Sequence, residues 1–333
     1  MKVFVSGATG FLGKHTVKRL SESGYTVFAH GRNEQSANFF QAMNNVYFVK
    51  GDLGDKDSLT KMIKDVDYVI HCAALAAPYG EYDLFYKTNV EGTRNIVNAS
   101  LASNVKKFIY LSTPSVYFTN EHRKNVKESD RLPENHTNYY AKTKHLADQI
   151  VIDAVIKGLP AISLRPRQVF GPLDNTIFGR LIETNKKRGI PLVNNGQILM
   201  DFTYVDNVVD IIVSSLSADD QFNGEFYNIT NDQPIYLIDA LKQLFSGLND
   251  ELHTKKVSPK LLSFISSSSE ILANVTGRPP MLSKHVASFL SYDYTLNIDK
   301  IKNDLQYTPK ISISEGIDRY TKWYLHENQS SFI

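Results

Sequence analysis

The stretch "VFVSGATGFLGKH", residues 3–15, sets Gly7, Gly10 and Gly13 three residues apart between an apolar strand-type run and a helix-type run. Gly7 permits a tight turn, Gly10 lets the backbone approach a ligand, and Gly13 lets helix and strand pack closely. A helix that starts at this point offers free N–H groups to an anion. The loop opens a strand–helix–strand unit, so it predicts a dinucleotide pyrophosphate held along Gly7, Thr9, Gly10, Phe11, Leu12 and Gly13.

Strand-type and helix-type runs then alternate. "YTVFAHG", "NVYFVKGDL", "VDYVIHCAA", "VKKFIYLST" and "PAISLRP" read as strands. Helical patterns lie between them, at about Lys56–Lys64, in "YKTNVEGTRNIVNASLASN" and from "NYYAKTKHLAD" onward. This rhythm predicts an α/β protein, a doubly wound parallel sheet of the Rossmann type. After Pro166 it breaks. "IPLVNNGQILMDFTYV" reads as two strands joined by an Asn-Gly turn. "DNVVDIIVSSLS" reads as a helix and "EFYNIT" as a strand returning to the main sheet. The Ser-rich "FISSSSE" reads as a loop or helix cap. The expected division is a dinucleotide-binding domain over 1–165 plus about 205–232. A smaller, discontinuous C-terminal substrate lobe takes about 166–204 plus 233–333.

Bulk properties exclude several classes. Thirty-seven basic residues against 35 acidic ones give a net charge of +2, which makes no case for nucleic acid. No run approaches the roughly 18 apolar residues of a membrane span, and no signal peptide is visible. Cys72 is the single cysteine, so no internal disulfide forms; a cytoplasmic protein with a small-molecule substrate is expected. Cys72 itself reads as core. The nine histidines show no paired ligand spacing, and no metal is expected. "HRKNVKESDR", residues 122–131, reads as a solvated loop that could also cover a substrate.

Cofactor choice is read at the end of the second strand. An acid there binds the ribose 2′-OH of NAD, whereas a cation suits the 2′-phosphate of NADP. "FAHGRNE" has Gly31 at the acidic position, followed by Arg32 and Asn33, which predicts NADP(H) over NAD(H). In "GDL", Asp52 beside Leu53 is placed either to accept from an adenine amino group or to cap a helix.

Within "NYYAKTKHLAD", Tyr140 and Lys144 share one helical face, with Ala147 and Val151 further along it. Tyr139 and Lys142 share another, which continues to Gln149 and Asp153. A phenol has a pKa of about 10 and is a poor acid or base at neutral pH. A lysine one turn away favours its ionised form. Tyr140 and Lys144 are therefore the candidate pair. "LSTPSVY" adds candidate hydroxyls at Ser112, Thr113 and Ser115.

These motifs, together with "HCAA" at 71–74, "TNVEGT" at 88–93, "LRPRQVFGP" at 164–172 and "DFTYVDNVV" at 201–209, resemble the extended short-chain dehydrogenase/reductase superfamily, the NAD-dependent epimerase/dehydratase family. The resemblance implies an enzyme moving a hydride between a nicotinamide and a carbinol or ketone carbon. Thr113 would hold the substrate oxygen, Tyr140 would exchange the proton, and Lys144 would bind the nicotinamide ribose and lower the tyrosine's pKa. Asn89 would be the family's structural asparagine. Ala73 and Ala74 would let the cofactor pass, with Pro166, Gln168 and Val169 along the nicotinamide edge.

The wording "FTYVDNVV", the "TKHLAD" helix and the C-terminal "LQYTPKISISEGIDRYTKWYL" look closest to the 3β-hydroxysteroid dehydrogenase-like branch. That implies a bulky, largely apolar steroid-like or β-keto/hydroxy substrate against Leu75, Tyr79, Ser115, Phe170 and Met200. Residues around Phe264 to Met281 are further candidates for that pocket. One alternative is a nucleotide-sugar epimerase or dehydratase with tightly bound NAD; such enzymes usually carry arginine where this chain has Met200. A second alternative is a non-catalytic NADP sensor. Relatives often pair two long helices from each subunit, here near 85–103 and 139–157, so a homodimer is expected.

Overall fold

Each apolar run of the N-terminal half is a strand in the computed structural model, which describes residues 1–276, 278 and 280–330. The strands are β1 (Lys2–Ser6), β2 (Thr26–Gly31), β3 (Val46–Lys50), β4 (Tyr68–His71), β5 (Lys107–Leu111), β6 (Arg123–Val126), β7 (Ala161–Pro166) and β8 (Val169–Phe170). Further on come β9 (Ile190–Leu192), β10 (Leu199–Met200), β11 (Thr203–Tyr204), β12 (Phe226–Ile229), β13 (Ile235–Tyr236), β14 (Thr254–Lys256) and β15 (Tyr294–Leu296). The helices of the first half are α1 (Phe11–Glu22), α2 (Lys56–Ile63), α3 (Tyr82–Phe85), α4 (Gly92–Ala102) and α5 (Tyr139–Ile156). Those of the second half are α6 (Phe178–Arg188), α7 (Val205–Ser214), α8 (Leu237–Gly247), α9 (Pro259–Thr276), α10 (Lys284–Phe289), α11 (Asp299–Leu305) and α12 (Ile313–Ser330).

Seven parallel strands form the main sheet in the order β12-β7-β5-β4-β1-β2-β3. From β1 the chain winds outward to β3, then crosses back to β4 and continues to β12. The strand order reverses between β1 and β4, and a ligand crevice opens there at the carboxyl ends. Both faces are covered, as buried parallel strands require. Val17 and Leu20 of α1, Val208, Ile211 and Ile212 of α7, and Ile301 of α11 cover one face. On the other lie Leu59 and Ile63 of α2, Ile96 and Val97 of α4, and Ala147, Val151 and Ala154 of α5. The fold class is the expected Rossmann one, with a smaller, discontinuous lobe from the C-terminal part.

Several local readings are corrected. The Asn-Gly segment does turn, with Asn194, Asn195 and Gly196 all left-handed, but it closes no hairpin. β9 pairs with β14, while β10 pairs with β13 and β15, so long-range partners take both strands. The Ser-rich patch lies inside α9. Residues 123–126, read as loop, are β6 at the edge of the lobe's four-stranded sheet, paired with β15. Arg123 fastens this strand to the Tyr117 carbonyl at 2.7 Å and to Asp130, which speaks against a free lid. Among the described residues no helix is long and apolar enough to cross a membrane.

Candidate active site

The glycine loop is shaped by close approach. Gly7 has φ +68°, and a Cβ on it would stand 2.7 Å from the Ala73 backbone. A Cβ on Gly13 would overlap the Gly7 carbonyl. The first turn of α1 carries no acidic side chain, so its positive end is left for an anion. A cleft of about 270 Å³ gathers the expected Gly7, Thr9, Gly10, Arg32, Asp52, Leu53, Ala73 and Ala74. Phe11, Leu12 and Gly13 begin α1 beside it. His30, Gly31, Gly51, Cys72 and Thr88 also line the cleft, and the sequence reading missed His30, Gly51 and Thr88. Cys72, read as core, lies just beyond β4 and is half-buried, with a thiol pushed up to about 12 by burial. This bare, glycine-lined trough fits a dinucleotide.

Arg32, the cation behind the NADP(H) expectation, does line the cleft. A Cβ on Gly31 would lie 2.7 Å from Thr9 Cγ2, so an acid at this position would be crowded. Asn33 Oδ1 is engaged with the Gln35 backbone N–H at 2.9 Å. Asp52 does not cap a helix. Its Oδ1 accepts from Gly54 N–H at 2.7 Å, and Asp55 caps α2 instead. Leu53 is buried against Gly92.

α5 positions the catalytic candidates. Asn138 caps it, accepting from Ala141 N–H at 2.7 Å. Tyr139 is 49% exposed and Lys142 is exposed, whereas Lys144 is buried on the same side as Ala147 and Val151. Lys144 Nζ donates to the Leu111 carbonyl at 2.7 Å and lies 4.1 Å from the Tyr110 ring centroid. Burial lowers its pKa to about 8, opposed by the Asp148 charge. Burial raises the Tyr140 pKa, and Thr113, the hydroxyl facing it, works in the opposite sense. For Tyr140 burial prevails, so the net shift of the phenol is upward and not the expected depression. Both groups are held toward their neutral forms, and the phenol keeps a proton to give.

Supporting groups fix this geometry. Thr113 begins a short 3₁₀ turn, with its Oγ1 accepting from Ser115 N–H at 3.2 Å and donating to Ser115 Oγ at 3.1 Å. Ser112 is diverted, donating to Asp148 at 2.6 Å. Asn89 lies in a π-type turn at Tyr86–Glu91. Its Oδ1 accepts from Leu75 N–H at 2.7 Å, and its Nδ2 donates to the Leu75 carbonyl and to Thr143 Oγ1. It therefore ties the loop after β4 to the residue before Lys144.

The remaining candidates separate. Pro166 ends β7, Gln168 and Val169 follow it, and all three are partly exposed, with Gln168 held at φ +48°. Leu75 and Tyr79 are half-buried in the loop after β4. Phe170 and Met200 are fully buried in the lobe's core beside Phe178 and Phe202. They pack the lobe instead of lining a cleft. Phe264 and Met281 are largely exposed. Among the described residues no group of three or more His, Cys, Asp or Glu is placed to hold a metal ion.

The NAD dependent epimerase/dehydratase family model matches residues 3–230. A 2-alkyl-3-oxoalkanoate reductase from Stenotrophomonas maltophilia (strain K279a) is 31% identical over 96% of this chain and 98% of its own length. A decarboxylating sterol-4-alpha-carboxylate 3-dehydrogenase from Mus musculus is 30% identical over 98% of this chain and 91% of its own. Among solved structures, UDP-glucuronic acid 4-epimerase from Bacillus cereus in complex with NAD superposes with a TM-score of 0.78, at 23% identity, over 98% of this chain and 99% of its own. Further solved structures of the same fold also hold NAD. The expectation of NADP(H) is therefore not upheld: each of these structures of the same fold holds NAD.

Proposed function

The chain belongs to the NAD dependent epimerase/dehydratase family, and from that membership we propose an enzyme that binds NAD(H) in the Gly7–Gly13 cleft and acts on a CH–OH or C=O carbon. The observation that carries this is the inward face of α5, where Tyr140 meets Thr113 and Lys144 is buried one turn on. NAD supplies the hydride acceptor or donor. Thr113 holds the substrate oxygen, Tyr140 exchanges its proton, and Lys144 orients the ribose. The division of labour follows the fold, with the segments 1–165 and about 205–232 holding the dinucleotide and the rest the substrate. Pairing of α4 and α5 between two copies is part of the same proposal.

Two substrate readings have support. The solved structures of this fold, among them NAD complexes of nucleotide-sugar epimerases and dehydratases, favour NAD held tightly and recycled. A second reading, a 3-oxo or 3-hydroxy acid oxidoreductase, is favoured by the two relatives at 30–31% identity. Met200, standing where sugar-nucleotide enzymes usually place arginine and buried in the lobe's core, favours it too. The deciding experiment assays purified protein for retained NAD and for net NADH turnover. Retained NAD with redox-neutral conversion of a nucleotide sugar supports the first reading. Stoichiometric NADH oxidation by a 3-oxo acid supports the second. Absence of both sinks the proposal.

A further inference from the structure

Arg167, the residue after β7, is 6% exposed, yet among the described residues its guanidinium makes no hydrogen bond and no ion pair. Its Nε is fully buried without a partner. Aromatic faces surround it instead, with the Tyr294 ring centroid 4.4 Å and the Phe289 centroid 5.8 Å from Cζ. The neighbouring carboxylate, Asp201, accepts from Leu296 N–H at 2.7 Å and does not pair with it. The contrast with Arg165, two residues earlier, is instructive. Arg165 is equally buried and is bound by Asp148 and Tyr117. Asp201 acts on Arg167 only through space, and burial still outweighs that attraction; a buried cation without a hydrogen-bonded anion is unfavourable, and stacking on rings offsets only part of that.

The cage around Arg167 is joined to the catalytic set at two points. Tyr294 Oη donates to the carbonyl of Pro114 at 2.9 Å, and Pro114 follows Thr113. His285, on the same helix as Phe289, meets Asn138 through its Nδ1 at 2.8 Å, and Asn138 is two residues before Tyr140. The Asn138 amide donates in that contact, because its Oδ1 already accepts from Ala141. Burial and the Arg167 charge lower the His285 pKa to about 4, so the ring is neutral at pH 7 with its proton on Nε2. Arg167 and His285 act on each other through space, and each is tied through its neighbours to the segments that carry Thr113 and Tyr140. A guanidinium fork matches a carboxylate bidentately.

We infer that Arg167, aided by His285, is the subsite for a carboxylate carried by the substrate. The inference rests on the proposed chemistry at Tyr140 but on neither substrate reading alone, since a 3-oxo acid and a nucleotide-linked uronic acid both present that group. Stability and activity arms test it separately on the full chain with NAD present. In the stability arm, 3-hydroxydecanoate should raise the Tm and its methyl ester should not, or UDP-glucuronic acid should raise it more than UDP-glucose. The first pattern identifies an oxo-acid source and the second a uronate source. Arg167→Met should erase whichever difference is seen while leaving the ligand-free Tm unchanged or higher, because it removes an unpaired buried charge. Arg167→Lys should retain part of the difference. In the activity arm, Arg167→Met should raise KM for the acid at least tenfold, with kcat less affected and the neutral analogue unchanged. A carboxylate preference that survives Arg167→Met, or none with either pair, would overturn the inference. So would a ligand-free Tm that falls in both variants, which marks Arg167 as structural. Loss of all NADH turnover with an intact binding preference would instead count against the proposed function alone.

Discussion

Asp148, one helical turn along α5 from Lys144, accepts from Arg165 Nη2 of β7 at 2.7 Å, and both side chains are buried. The same carboxylate takes the Ser112 hydroxyl. Removing its charge leaves Arg165 buried and unpaired, a change that costs about 3–5 kcal/mol. Asp148→Asn is expected to lower the urea midpoint by a corresponding amount at unchanged m-value. A midpoint within experimental error of the wild type would show that the pair contributes nothing.

The same carboxylate sustains the ammonium of Lys144, whose pKa burial lowers to about 8. The folded-state value lies below the unfolded one of about 10.4, so the unfolded chain binds the extra proton between them. The unfavourable contribution of Lys144 is therefore complete below about pH 8 and fades as pH rises toward 10. Turnover should move the other way, with kcat/KM falling above about pH 8 as the ammonium is lost. In Asp148→Asn the descending limb should begin at lower pH. A wild-type profile flat to pH 10 would remove Lys144 from the mechanism.

What could be read from the sequence was what neighbouring residues decide. The glycine loop, the alternation of strands and helices and the inward face of α5 depend on contacts within a few turns of chain, and each is where periodicity put it. The false hairpin at Asn194–Gly196 failed because its strands pair with residues 235–236, 254–256 and 294. Met200 and Phe170 looked like pocket residues because pockets and cores share composition. Arg167 carried no local mark, since the rings that enclose it come more than 100 residues later. The missing acid at Gly31 was legible, but the crowding of a Cβ there by Thr9, a residue on another loop, was not.

His30 lies at the floor of the cofactor cleft with both ring nitrogens unpartnered, and burial pulls its pKa to about 4. The unfolded imidazole titrates near 6.5, so below that pH the unfolded chain takes up the proton first. Its contribution to stability is present above about 6.5 and is lost as pH falls toward 4. Going from pH 7 to about pH 5 this is worth roughly 2 kcal/mol. His30→Phe, which keeps the contact with Phe4, should be less acid-sensitive than wild type by about that amount in paired urea titrations. Parallel losses for the two proteins would remove His30 as a cause.

Gly7 cannot carry a side chain. Its φ of +68° disfavours any L-residue, and a Cβ there meets the Ala73 backbone, which has no rotamer to yield. Gly7→Ala is expected to cost about 1–3 kcal/mol of stability from the conformation alone. The larger effect falls on NAD, since displacing Ala73 narrows the trough; calorimetry should show at least tenfold weaker binding. Gly24→Ala is the control, because φ there is also positive, at +81°, but nothing lies within 4 Å of the added atom. Equal loss of NAD affinity in both variants would show that backbone strain, not the cradle, is responsible.

Tyr139 and Tyr140 are adjacent, yet only one faces the chemistry. Tyr139 is 49% exposed and packs edge-on against Tyr82, with ring centroids 5.3 Å apart. Tyr140 is partly buried and faces Thr113, its phenol raised in pKa and so protonated at neutral pH. A protonated phenol is the form that gives a proton to a carbonyl oxygen as hydride arrives at its carbon. Tyr140→Phe deletes that proton and little volume, so kcat should fall by roughly 10²–10⁴-fold while NAD affinity measured by calorimetry is unchanged. Tyr139→Phe should retain full turnover. The reverse pattern, with Tyr139→Phe inactive and Tyr140→Phe active, would mean that the wrong face of α5 has been assigned to the reaction.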